Sequence, residues 1–171
     1  LWRIDRLGDK YYLLALSRRK PDFAHIIDQY GWPAAEQGWE TKDYDALLSK
    51  IKAGQCWQFR LRANPVHSVK EGEASRGKVY AHVTVKQQEK WLLDRAEKYG
   101  FSLNEGSFFV KQKEVKKFKR QGKTVTLGIV TYEGILNVTD RELFVNALTN
   151  GIGRAKAYGC GLLTIARCKN V

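Results

Sequence analysis

An α+β fold built on antiparallel strands is predicted by three observations. Runs that alternate apolar and polar residues, as strands do, are interleaved with runs of helical spacing. Residues 78–167 read strand, helix, strand, strand, helix, strand, and residues 1–63 read strand, strand, helix, strand. The first order is the split βαβ, or ferredoxin-like, unit, and the second is the later half of one. Tandem ferredoxin-like domains follow. An incomplete one over 1–66 lacks its opening strand and helix. A polar linker covers 67–77, and a complete unit over 78–171 carries a basic β-hairpin and a glycine-rich loop. The opening strand of this fold is central to its sheet, so roughly 30 to 45 further residues are expected ahead of Leu1.

Taken in order, residues 1–5 and 10–18 are strand-like and joined at Gly8-Asp9, a hairpin pattern. Phe23, Ile26, Ile27 and Tyr30 have helical spacing, kept short by Gly31, Pro33 and Gly38. Tyr44, Leu47, Leu48 and Ile51 fall on one helix face, which predicts a helix over about 43–53 stopped by Gly54. In the next strand Trp57, Phe59, Leu61 and Ala63 share one face, Gln58, Arg60, Arg62 and Asn64 share the other, and Pro65 ends it. After the linker, residues 78–85 alternate as a strand. Thr84 with Gln87 forms a capping box for a helix containing Trp91, Leu92, Ala96 and Tyr99, closed by Gly100. A long hairpin is expected over 107–120 and 123–138, turning at Gln121-Gly122. Thr139 with Glu142 opens a last helix carrying Leu143, Phe144, Ala147 and Leu148, and residues 162–166 form the final strand.

Size and charge bound the function. A chain of 171 residues with 43% hydrophobic content can bury a real core, and its formal charge of +12 calls for a polyanionic partner. Nucleic acid leads and an anionic membrane surface comes second. No apolar run approaches the roughly 20 residues of a membrane span, no leader pattern opens the chain, and a cytoplasmic protein is expected. Cys56, Cys160 and Cys168 fit neither a zinc spacing nor a disulfide framework, and read as reduced and structural. His25, His67 and His82 share no ligand spacing, so neither a metal nor another cofactor is expected.

The excess charge is concentrated. Residues 111–126 hold seven Lys/Arg against one acid, Glu114, a net of +6. Lys111, Lys113, Lys117 and Lys119 occupy one face, with Lys116 and Arg120 on the other. A ribbon charged on both faces is expected to project into solvent or a ligand, either as solvated edge protection or as a finger that grips nucleic acid. The second concentration is Gly151–Leu163, in which Gly151, Gly153, Gly159 and Gly161 bracket Arg154 and Lys156. Glycine lets backbone N–H groups approach phosphate oxygens, so this stretch reads as a phosphate clamp. Two helix C-caps, at Gly151 and Gly159, would leave the same pattern. Arg60 and Arg62 are either a solvated face or a further wall for phosphate or base contacts.

The motifs FRLRANP (59–65), YEGILNV (132–138) and GIGRAKAYGCGLL (151–163) together resemble the CRISPR-associated endoribonucleases of type I-E systems, the CasE family within the RAMP superfamily. The resemblance implies metal-independent cleavage of precursor CRISPR RNA at the 3′ base of each repeat hairpin. Attack by a 2′-hydroxyl leaves a 2′,3′-cyclic phosphate, and the product's 3′ hairpin is retained within the Cascade assembly. It also implies a catalytic histidine ahead of Leu1, so the 171 residues alone are expected to bind without cleaving. Lys116, Lys117, Lys119, Arg120 and Lys123 would then lie along the RNA stem, recognising phosphates and shape more than sequence. Arg154, Lys156, Gly151 and Gly153 would approach the backbone at the glycine-rich loop, and Arg60, Arg62 and Asn64 would add a wall. A catalytically silent RNA-binding relative would share all these residues. An RRM-like protein is disfavoured because no RNP aromatic motif is present.

Overall fold

The structure, a computed structural model, describes residues 1–31, 38–70 and 77–168. Trp2–Leu7 (β1) and Lys10–Ala15 (β2) form an antiparallel hairpin through Gly8, followed by the short helices Ala24–Tyr30 (α1) and Asp45–Leu48 (α2). The remaining elements are Cys56–Ala63 (β3), Val66–Val69 (β4), Lys78–Ala81 (β5), Val85–Ala96 (α3), Phe101–Ser102 (β6), Phe108–Arg120 (β7), Lys123–Val138 (β8), Arg141–Asn150 (α4) and Leu163–Arg167 (β9). A five-stranded antiparallel sheet runs β6-β8-β3-β9, with β7 paired to β8. That is the strand order of a ferredoxin-like unit in which β3 is the opening strand, and the α+β class holds.

The position of β3 corrects the sequence reading, which closed the first unit with this strand and opened the second at residue 78. Strand β3 lies between β8 and β9. Its alternate side chains Trp57, Phe59, Leu61 and Ala63 are all buried, which a central strand covered by helices requires. β5 instead pairs with β4 in a separate hairpin, His67 opposite Tyr80. The expected linker is therefore strand at its start, and its residues 71–76 lie outside the described residues, as do 32–37 with Pro33.

One face of the sheet supports the core. Trp57, Phe59, Leu61, Tyr132, Leu136 and Val138 meet Trp91, Leu92 and Ala96 of α3 and Phe144, Ala147 and Leu148 of α4. Both helices begin where side chains can take up free N–H groups. Thr84 and Gln87 form the reciprocal capping box expected. At α4 the cap is Asp140, whose carboxylate accepts from the Leu143 N–H at 3.0 Å, one residue later than the expected Thr139. Phe144, Ala147 and Leu148 are buried as expected, whereas Leu143 is exposed. Helix α2 is much shorter than the predicted 43–53, because the Gln55 amide takes over the backbone partners: its Oε1 accepts from Lys52 N–H and its Nε2 donates to the Lys50 carbonyl. The apolar spacing was nonetheless informative, since Tyr44, Leu47, Leu48 and Ile51 all pack on the core. Burial also pushes the Tyr44 hydroxyl up to about 12.

Candidate nucleic-acid interface

The long hairpin forms as expected, with Gln121 (φ 48°) and Gly122 (φ 74°) making the two-residue turn that suits the twist of a ribbon. A register shift between Val110 and Gln112 marks a β-bulge near its base. Beyond the bulge the even-numbered side chains of β7 share a face with Leu127 and Ile129, and the odd-numbered ones take the other. Lys113, Lys117 and Lys119 thus point one way; Lys116, Phe118 and Arg120 point the other, with Lys123 opposite Arg120.

The even face packs around Phe118, while Lys116 and Arg120 stay exposed, which revises the expectation of a freely projecting ribbon. Phe118 and Val125 join Ala155 and Tyr158 of the glycine-rich loop around Leu127, Ile129 and Cys160. The Phe118 and Tyr158 rings lie 5.0 Å apart, and Arg120 donates to the Tyr158 hydroxyl at 2.6 Å. Residues separated by about forty positions therefore form one surface, on which Arg120, Lys116 and Lys123 stand beside the loop bearing Arg154 and Lys156. Tyr158, missed in the sequence, joins the two; its signal was a lone aromatic within a glycine-rich run. Lys116 reaches Glu114 at 3.8 Å, while the side chains of Lys117, Lys119, Lys123 and Arg154 have no ion-pair or hydrogen-bond partner among the described residues. Burial pushes the Cys160 thiol beneath this surface up to about 11.

The loop's glycines answer to neighbours within the chain. A Cβ at Gly159 (φ 76°) would sit 2.8 Å from the Trp2 ring, and one at Gly151 (φ 74°) 2.7 Å from the Gly161 carbonyl and 3.0 Å from Leu1. The Gly151 N–H closes helix α4 on the Ala147 carbonyl, and the Gly153 N–H donates to the Tyr99 hydroxyl at 3.4 Å. Lys156 caps the same helix by donating to the Asn150 carbonyl at 2.6 Å. Gly151 and Gly153 therefore act as structural hinges whose N–H groups are already spent, and the outward cation of the loop is Arg154.

The expected wall of Arg60, Arg62 and Asn64 is not a free cationic surface. Arg60 binds Glu133 at 2.6 Å and Asp5 at 3.3 Å, Arg62 binds Glu114 at 3.0 Å, and Asn64 is buried. The acids come from β1, β7 and β8, so only the fold reveals the pairing. Glu133 also accepts from Lys111 at 3.1 Å. Burial opposes its ionisation, but the hydrogen bonds from Lys111 and Arg60 outweigh that and hold its carboxyl below the usual range. Arg3, likewise missed, is 2% exposed. It forks onto Asp5 and donates to the Arg60 and Leu162 carbonyls and to Thr164 Oγ1, clamping the N-terminal hairpin to this face.

Of the histidines, His25 lies exposed on α1, while His67 stacks against Tyr80 and His82. Burial, then the charges of His67 and Arg95, pull the His82 imidazole below its ordinary value. Among the described residues, no helix is long and apolar enough to cross a membrane.

A ferredoxin-like sheet bearing a cationic ribbon against a glycine-rich loop places the chain in a class of α+β proteins shaped to meet a polyanion. Comparison with known proteins narrows it. Residues 1–167 match the family described as CRISPR associated protein, and the chain belongs to that family. The CRISPR-associated endoribonuclease Cse3 of Thermus thermophilus is 32% identical, over 97% of this chain and 79% of its own length. The CRISPR system Cascade subunit CasE of Escherichia coli is 27% identical, over 87% and 77%. A solved structure of CRISPR endoribonuclease Cse3 bound to 19 nt RNA superposes with a TM-score of 0.73 at 29% identity, covering 97% of this chain and 78% of that one.

Proposed function

We propose that the chain is the RNA-gripping body of a metal-independent endoribonuclease that binds and cleaves the repeat hairpin of precursor CRISPR RNA. It then stays on the 3′ hairpin of the mature guide, in the cytoplasm, alongside other Cascade subunits. The observation that carries this reading is the joining of ribbon and glycine-rich loop into one surface, on which the Lys123 and Arg154 side chains are free of partners among the described residues, with the equally free Lys117 and Lys119 on the ribbon's other face. Cations spaced along a ribbon suit the evenly spaced phosphates of an RNA stem, and phosphate contacts supply most of the affinity. Lys116 and Arg120, held by Glu114 and Tyr158, would give that surface fixed rather than mobile charges. Arg60, Arg62 and Asn64 would support the sheet beneath it.

Cleavage by this route requires a base at the attacking 2′-hydroxyl, an acid at the departing 5′ oxygen, and positive charge about the phosphorane. Arg154 is our candidate for the last. The acid–base histidine is assigned to residues ahead of Leu1, so the 171 residues alone bind the hairpin without cutting it. A silent guide-binding subunit is favoured instead by one observation: His67 lies against both Tyr80 and His82, and His25 is a solvated helix residue. The test uses end-labelled repeat-hairpin RNA with EDTA present. The 171-residue chain should retard the RNA, and the chain extended upstream should yield a 2′,3′-cyclic phosphate and a 5′-hydroxyl. Binding with no cleavage by the extended chain would establish the silent subunit; no binding by either would overturn both readings.

A further inference from the structure

We propose that Cys56 and Cys168 form a redox-modification site, a cross-strand dithiol that closes to a disulfide on meeting a low-molecular-weight disulfide of the glutathione class. Strands β3 and β9 are antiparallel, with Gln58 opposite Ala166 and Trp57 opposite Arg167. Strand β9 ends at Arg167, and the same register continued one step would set Cys56 opposite Cys168. Opposed residues share a face, and their Cα atoms stand about 4.5–5.5 Å apart. That separation falls inside the range of about 4.4–6.8 Å over which disulfides form.

A second observation is independent of the register. Both cysteines line one surface cavity of about 350 Å³, together with Lys50, Gln55, Trp57 and Arg167. Cys56 is exposed and Cys168 half-buried, so a reagent can reach them, whereas Cys160 is fully buried. Lys50 and Arg167 make the cavity mouth cationic, which suits an anionic reagent such as oxidised glutathione. The Cys56 thiol donates to Asn137 Oδ1 of β8 at 2.8 Å, on the side away from β9, so closing the bond to Cys168 requires this side chain to exchange that contact for another rotamer.

The reaction is two successive exchanges. The Cys56 thiolate attacks one sulfur of oxidised glutathione, forming a mixed disulfide and expelling a glutathione thiolate. The Cys168 thiolate then attacks the Cys56 sulfur, forming the Cys56–Cys168 bond and expelling the second glutathione thiolate. Two electrons pass from the cysteine pair to the reagent, and the two thiol protons end on the departing thiolates. The new bond ties the end of β9 to the start of β3 and closes a loop spanning residues 56–168, the kind of long closure that most restricts an unfolded chain.

The test equilibrates the 171-residue chain with oxidised glutathione in the absence of reductant, followed by intact mass and peptide mapping. The expected product is lighter by two hydrogens, with the Cys56 and Cys168 peptides joined. Its Tm should be raised by about 5–15 °C and restored by dithiothreitol. Cys56→Ser and Cys168→Ser should each abolish the cross-link and leave a single glutathione adduct on the remaining partner. The proposal is overturned if wild-type chains carry glutathione on both Cys56 and Cys168 without a cross-link, if neither cysteine reacts in the folded chain, or if the bond joins Cys160.

Discussion

One face of the five-stranded sheet meets α3 and α4 through Trp57, Phe59, Leu61 and Tyr132; the other meets the N-terminal hairpin and the glycine-rich loop through Arg60, Arg62, Glu133 and Phe118. Adjacent residues of a single strand, β3, supply both. Burial on the first face needs only apolar area, which any suitable neighbour satisfies. On the second, each charge must find a specific counter-charge or remain solvated, so the face divides into a neutralised part around Arg3, Asp5 and Arg60 and an unneutralised part at the ribbon. The difference teaches that an arginine's spacing along a strand does not reveal which part it occupies.

Four experiments break or sharpen that contrast. The largest effect is expected on RNA binding. Changing Lys116, Lys117, Lys119 and Arg120 together to Glu should weaken repeat-hairpin affinity by at least about 1,000-fold near 0.1 M salt and flatten its salt dependence, measured by filter binding. Arg60→Gln and Arg62→Gln, in the neutralised part, should each cost less than about threefold there. Equal losses in the two sets would erase the distinction.

On the apolar face, Leu61→Ala should lower unfolding free energy by about 3 kcal/mol in urea titrations, because this fully buried side chain leaves a cavity between sheet and helices. Gly100→Ala should cost about 2 kcal/mol. Gly100 has φ 73°, and a Cβ there would collide with the Asp140 carbonyl and lie 2.6 Å from the Phe144 nitrogen, at the very start of α4. A neutral outcome would mean that this end of the helix can shift.

The smallest effect concerns Glu133. Its folded carboxyl titrates below its unfolded one, so its stabilisation is fully present above the ordinary glutamate range near about 4.3 and is lost as pH falls through the depressed folded value. Wild type should exceed Glu133→Gln in stability by up to about 1 kcal/mol at neutral pH, and the gap should close in acid. A gap that persists at low pH would show that the residue acts through packing rather than charge.

Much of the helix-covered face was legible in the sequence, because period-two alternation in 57–63 and helical spacing in 85–96 and 141–150 report burial directly. The two-residue turn at Gln121-Gly122 was legible for the same local reason. Misassignment of β3 came from chain order: strands were grouped with their sequence neighbours, whereas β3 joins partners some seventy and one hundred positions away. The pairing of Arg60 with Asp5 and Glu133 was hidden likewise, since ion pairs between distant strands leave no periodic trace. At the glycine-rich loop the pattern itself was visible, but not its cause: Trp2 and Leu1 press on Gly159 and Gly151 from the far end of the chain.

The bulge between Val110 and Gln112 has a consequence for everything beyond it. Val110 with Tyr132 and Gln112 with Thr131 are consecutive pairs, so Lys111 is the extra residue, and by standing out of the ladder it lets its two neighbours take opposite faces although they are two positions apart. Taking Lys111 out should therefore spare the inside-outside order of the finger from Gln112 to its tip, and alter the bend and twist with which the ribbon leaves the sheet, together with the Lys111–Glu133 contact. A Lys111 deletion that keeps its stability yet loses repeat-hairpin affinity would show that the aim of the ribbon matters to polyanion recognition as well as its lysines.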